Sequence, residues 1–436
     1  MTILGGGGFR TPLVVGAVAQ ARDRTGIDEI VLHDTDTDRL AVISAVLEDQ
    51  LAPIPNPPRV VLQPHLRTAV TAVDYVFCAI RVGGTAGRIS DEQVARDLGL
   101  LGQETVGPGG LAYALRTVPV IDHVAELIAQ HSPSAWVVNF TNPAGLVTEA
   151  MRAQLGNRVI GICDTPIGML RSAARAACLP DRAVSGDYLG LNHLGWLRTL
   201  EYRGVDHLPA LLADAEAMLT LDEAAIFDVA WMQAIGVLPG EYLHYYDPAI
   251  PHQGNGRAAF LHAQQQQFYR AGTSGAAARW QQVLAEREDT YMADARTRVH
   301  HDQQRLGGGY HEVAVDLMAA LSGGDSASMI LNLVNDGAIA ALPDDAVIEI
   351  SAHVDAAGAH VRHSPIPLSG SQLGLVAGVK ASERLAIQAA RTGSLELAWQ
   401  AFAEHPLVRS PELGQALLSG YLSANPELFS TIAQQM

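Results

Sequence analysis

Apolar runs with strand spacing and with helical spacing alternate along the first part of the chain. A short apolar run at 2–5 leads into a run of glycines and then into a stretch, 11–21, with apolar residues at helical spacing. A second strand-like run at 29–33 ends in Asp34. The order of strand, glycine-rich turn, helix, strand and acid is typical of a dinucleotide-binding βαβ unit.

Three further buried strands are predicted, and each ends in polar or glycine-rich residues. They cover 74–80, 135–140 and 158–163, and helices are predicted between them, for instance at 118–130 and 145–155. Strands that alternate with helices favour a parallel, doubly wound sheet, in which ligands bind beyond the carboxyl ends of the strands. We therefore expect a Rossmann-type α/β fold with a site at that edge.

The pattern changes after residue 195, where helical spacing dominates and only short strand-like runs remain. The predicted helices are 208–219, 221–236, 257–271, 275–299, 379–392 and 395–405, and the predicted strands are 329–334 and 347–354. We predict an NAD-binding domain at 1–195. A mixed, mainly helical α+β lobe at 196–436 would carry substrate binding, catalysis and oligomer contacts.

Composition argues against several classes of partner. Acidic residues outnumber Lys and Arg by 46 to 29, and the formal net charge of −17 disfavours binding to nucleic acid or anionic lipid. No apolar run approaches the roughly 18 residues of a membrane span, and no basic segment with a following apolar run marks a signal peptide. The three cysteines are too few for a disulfide framework. We expect a cytoplasmic protein.

The glycine run allows the backbone to approach a pyrophosphate, which the N-terminus of the next helix would also attract. The predicted cofactor contacts are Gly5, Gly6, Gly7, Gly8, Phe9 and Asp34. The carboxylate of Asp34 would hold the ribose hydroxyls. Arg10 occupies the position of the third glycine in the usual pattern, so a plain turn is the alternative reading.

Cys163 and His193 each stand at the end of a predicted apolar segment. A thiolate and an imidazole together suit Mn²⁺, Fe²⁺, Co²⁺, Ni²⁺ or Zn²⁺. Thirty residues separate the two, so spacing alone equally allows a buried thiol and a hydrogen-bonded histidine. Asp164 follows the cysteine as a supporting carboxylate, a general acid or the N-cap of a helix that begins near Pro166.

A tyrosine-rich segment at 242–246 offers a possible base, because a cation can lower the pKa of a tyrosine from about 10. Packing is the usual role of clustered tyrosines. Four arginines stand in glycine-rich or strand-end contexts that suit anion binding, although a surface position explains any one of them: Arg81, Arg88, Arg116 and Arg257. The glycine-rich loop at 103–110 predicts a site wall or an interface.

The chain resembles glycoside hydrolase family 4, the NAD- and divalent-metal-dependent glycosidases, along nearly its whole length. The matching segments are 5–12, 80–84, 102–110, 115–119, 139–145, 163–166, 190–196, 342–345, 379–384 and 405–408. Segments 80–84 and 102–105 look most like the 6-phospho-β-glucosidase branch. The resemblance implies a lactate/malate dehydrogenase-like fold, NAD, a divalent cation with Mn²⁺ first, a sugar substrate and a homodimer or homotetramer.

The resemblance also implies a mechanism other than paired carboxylates. NAD⁺ takes a hydride from carbon 3 of the sugar, and the resulting ketone acidifies the proton on carbon 2. A tyrosine removes that proton while a metal held by Cys163 and His193 stabilises the enediolate. The aglycone leaves from carbon 1, water adds and NADH returns its hydride, so the net reaction is hydrolysis.

Matched position by position, the family implies Tyr242 as the base, with Tyr245 as the alternative within the cluster. Asp164 is implied as a catalytic residue. The implied substrate contacts are Arg81, Arg88, Asn142, Asn192 and Arg257. Arg88 matches a phosphate-binding arginine of the family.

Two departures from the β-branch leave the substrate open. Gly8, Phe9 and Arg10 stand where that branch has serines, which puts recognition of a 6-phosphate in question. Asp164 stands where the β-branch has Asn. The 6-phospho-α-glucosidase branch has Asp at this position, and that Asp is the candidate acid for the leaving group. Anomeric preference, phosphate requirement and aglycone therefore stay open.

Two other functions are compatible with part of the chain. A lactate/malate-type dehydrogenase explains the nucleotide site but neither Cys163 and His193 nor the second lobe. A catalytically inactive sensor of sugar or nucleotide is expected only where Cys163, His193 or Tyr242 is missing, and all three are present.

Overall fold

The computed structural model describes residues 1–247, 257–289 and 309–426. The chain forms two compact units, each discontinuous in sequence. The first combines 1–161 with the described residues of 251–289 and 377–436, and the second combines the described residues of 162–250 and 290–376. The predicted domain division after residue 195 stays a prediction.

The first unit is built on a parallel sheet. Its strands are β1 (Thr2–Leu4), β2 (Glu29–His33), β3 (Arg59–Leu62), β4 (Tyr75–Cys78), β5 (Trp136–Asn139) and β6 (Val159–Gly161). They lie in the order β6-β5-β4-β1-β2-β3, and each neighbouring pair is parallel. The order reverses between β1 and β4, which is the switch point of a doubly wound sheet. The predicted Rossmann-type sheet is confirmed.

The second unit contains an antiparallel sheet. Its strands are β7 (Ser185–Leu191), β8 (Leu194–Tyr202), β9 (Val205–Asp206), β10 (Leu238–Pro239), β11 (Ala327–Val334), β12 (Val347–Asp355) and β13 (Gly358–Val361). The order is β10-β8-β7-β12-β11, with β9 paired to β8 and β13 to β12. Residues 192 and 193 alone join β7 to β8, so this hairpin turn is tight.

The described α-helices account for most of the remaining chain. They are α1 (Thr11–Gln20), α2 (Arg22–Thr25), α3 (Thr37–Leu51), α4 (Leu66–Ala69), α5 (Gly84–Asp97), α6 (Gly107–His131), α7 (Ala144–Leu155), α8 (Thr165–Ala176), α9 (Leu208–Ala213), α10 (Ala215–Met218), α11 (Val229–Ile235), α12 (Arg257–Arg270), α13 (Ala276–Asp289), α14 (Tyr310–Leu321), α15 (Gly370–Thr392), α16 (Leu395–Glu404) and α17 (Pro411–Ala424). Short 3₁₀ helices cover Gly156–Arg158, Asp222–Ala225 and Glu241–Tyr246. No described helix is long and apolar enough to cross a membrane.

Four helix predictions need correction, and the simplest is that at 379–392, where the helix begins nine residues earlier, at Gly370. The predicted helix 208–219 is two helices, because the carboxylate of Asp214 accepts hydrogen bonds from the backbone of Glu216 and Ala217 and so starts a new one. The prediction at 221–236 is a 3₁₀ turn followed by α11. The helix predicted at 118–130 begins eleven residues earlier, at Gly107. Residues 290–299 of the predicted helix 275–299 lie outside the described residues.

The glycine-rich loop before α6 is explained by close backbone packing. A Cβ on Gly109 would lie 2.2 Å from the carbonyl oxygen of Gln103, and one on Gly110 would lie 2.6 Å from that of Thr105. The side-chain Oε1 of Gln103 accepts hydrogen bonds from the backbone N–H groups of Thr105 and Val106. The loop therefore folds back on the first turn of α6, where only glycine fits.

Hydrophobic side chains of strands and helices form the core beneath the carboxyl edge of the parallel sheet. Val76, Val137 and Val159 from three adjacent strands pack in one cluster with Ile121 of α6 and Met151 of α7. This core fixes the strand ends, and the loops that follow them carry the candidate site residues of the first unit.

Candidate active-site residues

The glycine turn after β1 packs too closely against neighbouring strands for larger residues. Gly5 has φ +83°, and a Cβ there would lie 2.4 Å from the carbonyl oxygen of Ala79. A Cβ on Gly6 would lie 2.8 Å from the side chain of Leu32. The turn closes through a hydrogen bond of 2.8 Å from the Gly8 N–H to the carbonyl oxygen of Gly5. The glycines thus let the turn pack closely against β2 and the end of β4, and the N–H groups of Gly5 and Gly6 both donate to the carbonyl oxygen of His33.

Asp34 lies beside the second predicted glycine of the fingerprint. Its Oδ2 accepts a hydrogen bond of 3.0 Å from the Gly7 N–H, and its Oδ1 accepts one of 3.1 Å from the Asp36 N–H. A Cβ on Gly7 would lie 2.9 Å from the same Oδ2. Gly7 therefore lets the turn approach the carboxylate that is predicted to hold the ribose.

The side chain of Phe9 packs into an aromatic cluster and is only 3% exposed. Its ring lies 5.3 Å from that of Phe268 and 6.0 Å from that of Trp280. The Trp280 indole N–H donates to the carbonyl oxygen of Phe9 at 2.8 Å, and the Tyr269 hydroxyl donates to that of Gly7 at 2.7 Å. Helices α12 and α13 thus hold the glycine turn, and a cofactor contact of Phe9 would involve its backbone.

Arg81 and Arg88 share one carboxylate. Glu104 accepts from Arg81 Nη2 at 2.6 Å and from Arg88 Nη1 at 2.9 Å, while Arg88 Nε also pairs with Glu92 at 2.7 Å. Burial alone would raise the pKa of Glu104, but the two arginines outweigh burial and lower it to about 2. The loop predicted as a site wall therefore supplies a permanently charged carboxylate that fixes both arginines.

The other predicted polar residues of the first unit divide into two groups. Asn142 follows β5 and is half-buried, and Arg257 begins α12, where its Nη2 donates to the carbonyl oxygen of Arg287 at 3.4 Å. Arg116 is different, since its buried guanidinium forms a two-point ion pair with Asp91. Arg116 thus has a structural role and is neither an anion site nor a surface residue.

Cys163 and Asp164 lie between β6 and α8 in the second unit. The Cys163 thiol is buried, and its pKa is raised first by burial, then by the charges of Glu349 and Asp164. Asp164 occupies the N-cap position of α8, but its side chain makes no capping hydrogen bond. The carboxylate of Asp164 therefore does not cap the helix.

His193 and Tyr242 lie in stacked contact within the second unit. His193 sits in the β7–β8 turn with φ +63°, a left-handed conformation that is unusual for a residue other than glycine. The Tyr242 ring lies parallel to the imidazole, with centroids 3.8 Å apart and 3° between the planes. Strand β10 pairs with β8 and leads directly into the 3₁₀ helix that carries Tyr242. The structure thus brings the predicted metal ligand and the predicted base together.

The neighbouring tyrosine lies one step farther from His193. The Tyr245 ring contacts that of Tyr242 edge-on, with centroids 5.8 Å apart, and His244 packs against Tyr245 at the same separation. Among the tyrosines of the cluster, Tyr242 is thus the one in stacked contact with His193.

Glu349 was missed by the sequence analysis because it alternates with apolar residues along a predicted strand, a pattern typical of a side chain that faces solvent. Its Oε1 accepts from Asn192 Nδ2 at 3.2 Å and from Asn332 Nδ2 at 3.0 Å. Its Oε2 accepts from the Tyr188 hydroxyl at 3.2 Å. Burial, only partly offset by these hydrogen bonds, raises the pKa of Glu349 to about 7.

The surroundings of Cys163 fit a divalent cation, because the charges of Glu349 and Asp164 both act on its buried thiol. A buried thiol beside two carboxylates keeps its proton, and a bound cation is what would favour the thiolate. Within the ranges 1–247, 257–289 and 309–426, no group of three or more His, Cys, Asp or Glu side chains forms a complete metal cage. A cation held by Cys163 and His193 would therefore need further ligands from outside the described residues, such as oxygens of a substrate.

Two family models match consecutive parts of the chain. Residues 1–179 match the family 4 glycosyl hydrolase model, and residues 188–408 match the model of the family 4 glycosyl hydrolase C-terminal domain. A probable 6-phospho-β-glucosidase from Bacillus subtilis is 30% identical over 451 residues, covering 98% of each chain.

Solved structures of similar length superpose well on this chain. One is a 6-phospho-β-glucosidase from Thermotoga maritima with NAD and glucose-6-phosphate, with 27% identity, 98% coverage of each chain and a TM-score of 0.82. Another is a 6-phospho-α-glucosidase from gut microorganisms with NAD and Mn²⁺, with 25% identity, the same coverage and a TM-score of 0.81. A malate dehydrogenase from Salinibacter ruber, at 15% identity and a TM-score of 0.53, shares the fold alone.

Proposed function

The chain belongs to glycosyl hydrolase family 4, and on that premise we propose that it hydrolyses a 6-phosphoglucoside with NAD⁺ and a divalent cation, Mn²⁺ being the first choice. Two kinds of relative support this proposal. The T. maritima enzyme was solved with NAD and glucose-6-phosphate, and the gut enzyme with NAD and Mn²⁺. Both of those proteins are similar to this chain over 98% of its length.

The observation that carries the proposal is the stacking of Tyr242 on His193 at 3.8 Å. Hydrolysis by paired carboxylates takes place at carbon 1 and requires no base for the proton on carbon 2. A hydrolase that removes the proton from carbon 2 needs a base beside the cation that acidifies that proton. The contact of the two rings supports Tyr242 rather than Tyr245 as this base.

When bound, NAD⁺ supplies a hydride acceptor for carbon 3 and the cation supplies a Lewis acid for the resulting ketone. Cys163 and His193 would hold the cation. Tyr242 takes the proton from carbon 2 and returns one after the water has added. The carboxylate of Asp164, which makes no capping hydrogen bond, is the proposed proton donor to the leaving aglycone.

Arginines of the first unit are the proposed partners of the substrate phosphate. Arg81 and Arg88 are held by Glu104, so their guanidinium groups are fixed before substrate arrives. Guanidinium groups bind phosphate through paired hydrogen bonds. Asn142, Asn192 and Arg257 are the further proposed substrate contacts.

A 6-phospho-α-glucosidase is the second candidate, and Asp164 is the residue that favours it. The branch with Asp after the metal cysteine acts on α-glucosides by the resemblance described above. A 6-phospho-α-glucosidase from Leptotrichia buccalis is 27% identical to this chain over 465 residues. A glucosidase without a phosphate requirement is the third candidate, because Gly8, Phe9 and Arg10 stand where the β-branch has serines.

The setting of the enzyme is also a proposal. Cys78, Cys163 and Cys178 are all free thiols, as expected in a reducing compartment, and we place the enzyme in the cytoplasm. We propose a homodimer or a homotetramer.

One activity panel tests the function. Purified protein is given p-nitrophenyl α- and β-glucosides, each with and without a 6-phosphate, in the presence and absence of NAD⁺ and Mn²⁺. The proposal expects hydrolysis of a phosphorylated glucoside only when both NAD⁺ and Mn²⁺ are present. Lasting accumulation of one NADH per substrate molecule, or equal hydrolysis with and without NAD⁺, would exclude the proposed function.

A further inference from the structure

Glu349 is a buried carboxylate at the centre of the second unit's sheet. It is 1% exposed and lies on β12, directly opposite Asn332 of β11 and Gly190 of β7. A carboxylate is rarely buried so fully without a cationic partner, because desolvation of the charge is costly. Among the described residues its side-chain donors are Asn192, Asn332 and Tyr188, and all three are uncharged. Neutral donors compensate only part of that cost.

One of these hydrogen bonds ends at the turn that carries His193. Asn192 and His193 are the two residues between β7 and β8, and His193 is held at φ +63°. The Asn192 amide donates to Glu349 Oε1 at 3.2 Å, which ties the turn to β12. A strained conformation persists only when its surroundings enforce it. The hydrogen bond from Asn192 to Glu349 therefore helps to enforce the left-handed conformation of His193.

Groups just outside the ligands commonly tune metal affinity by fixing how a ligand is held. The hydrogen bond from Asn192 is the link of this kind, because it ends one residue before His193 in the same two-residue turn.

We propose that Glu349 is a positioning residue of the cation site, holding the Asn192–His193 turn that carries one of the proposed ligands. The inference rests on the proposed function, because it takes Cys163 and His193 as the cation ligands. The alternative is that Glu349 only satisfies buried donors and has no effect on the cation.

The test measures Mn²⁺ binding directly, by the electron paramagnetic resonance signal of free Mn²⁺, without substrate. Glu349→Gln keeps the size of the side chain but replaces one of the two oxygens that accept from Asn192, Asn332 and Tyr188 with an amide nitrogen. Ser351→Ala is the matched control on the same strand, where the buried serine donates to the carbonyl oxygen of Gly186 at 2.7 Å. A circular dichroism melting curve reports whether each variant is folded, and the NAD⁺ dissociation constant reports on the first unit separately.

We expect Glu349→Gln to raise the Mn²⁺ dissociation constant by about 10- to 100-fold, as outer-shell substitutions do, while Ser351→Ala stays within about twofold of the wild type. NAD⁺ affinity should be unchanged in both. Excess Mn²⁺ should recover most of the kcat of Glu349→Gln. Mn²⁺ binding by Glu349→Gln that equals the wild type would overturn the inference.

Cys163→Ala and His193→Ala separate this inference from the proposed function. If both weaken Mn²⁺ binding and Glu349→Gln does not, the inference is wrong and the proposed function stands. If the wild type binds no Mn²⁺, or neither ligand variant weakens binding, the proposed cation site fails and the inference fails with it.

Discussion

The imidazole of His193 and the phenol of Tyr242 lie face to face, with ring centroids 3.8 Å apart and planes only 3° from parallel. The two residues come from different elements, the β7–β8 turn and the 3₁₀ helix that follows β10. Pairing of β10 with β8 brings these elements together. The proposed base therefore cannot shift without disturbing the proposed ligand, which keeps proton removal next to the cation.

Tyr242→Phe should fold normally and lose activity by about 10²- to 10⁴-fold, the usual contribution of a general base. The phenylalanine ring keeps the stacking on His193 but has no hydroxyl to take the proton. The measurement is kcat on the preferred glucoside with saturating NAD⁺ and Mn²⁺. Tyr245→Phe is the matched control and should retain most activity. The reverse result would move the base to Tyr245.

Removal of the cation should abolish activity. EDTA-treated enzyme should recover with Mn²⁺, Co²⁺ or Ni²⁺ but not with Ca²⁺, because a thiolate–imidazole pair favours softer ions. A reductant should help, since oxidation of Cys163 destroys the ligand. Cys163→Ala should stay inactive at any Mn²⁺ concentration, whereas Cys178→Ala, at an exposed cysteine, should behave like the wild type. Full activity of Cys163→Ala would rule out the site.

Asp34→Ala should weaken NAD⁺ binding by roughly 10- to 100-fold, the cost of losing hydrogen bonds to a charged group. The substitution also removes the acceptor of the Gly7 N–H and so loosens the turn. Asp36→Ala is the control from the same loop, since the Asp36 side chain caps α3 instead. Calorimetry should show NAD⁺ affinity near that of the wild type for Asp36→Ala. Unchanged affinity in Asp34→Ala would contradict the assignment.

The Arg81–Glu104–Arg88 group should make stability depend on pH at low pH. The folded-state pKa of Glu104 is lowered to about 2 from an ordinary 4.5, so its ionised form stabilises the fold above pH 4.5. That stabilisation is lost as the pH falls from 4.5 to about 2. The melting temperature of the wild type should therefore exceed that of Glu104→Gln at neutral pH, and the gap should close over this window. A constant gap would mean that Glu104 is not held by the two arginines.

The strand ends were predictable from sequence because apolar runs, glycines and Asp34 follow local rules. The parallel sheet of the first unit follows from that alternation and is confirmed. The break at Asp214 was missed because helical spacing continues across it, and only the capping bonds to Glu216 and Ala217 reveal the new start. Local propensity alone does not distinguish one helix from two consecutive helices.

The residues around the candidate site were harder to predict than the proposed ligands and base themselves. Glu349 stands in the predicted strand 347–354. The pairing register of that strand sets Glu349 opposite Asn332 and Gly190, and this register cannot be read from the strand alone. Likewise, residue type alone does not separate Tyr242 from Tyr245; the family resemblance implies Tyr242, and the 3₁₀ helix places the Tyr242 ring on His193. Contacts between residues far apart in the chain decide both cases.

The central claim, proton removal at carbon 2, is tested most directly by hydrolysis in D₂O followed by mass and NMR analysis of the released sugar. The phenol of Tyr242 exchanges its proton with solvent, so the account predicts deuterium at carbon 2 of the product. It predicts none at carbon 3, where the original hydride returns from NADH. Product that carries only protium at carbon 2, from fully active enzyme, would contradict the account.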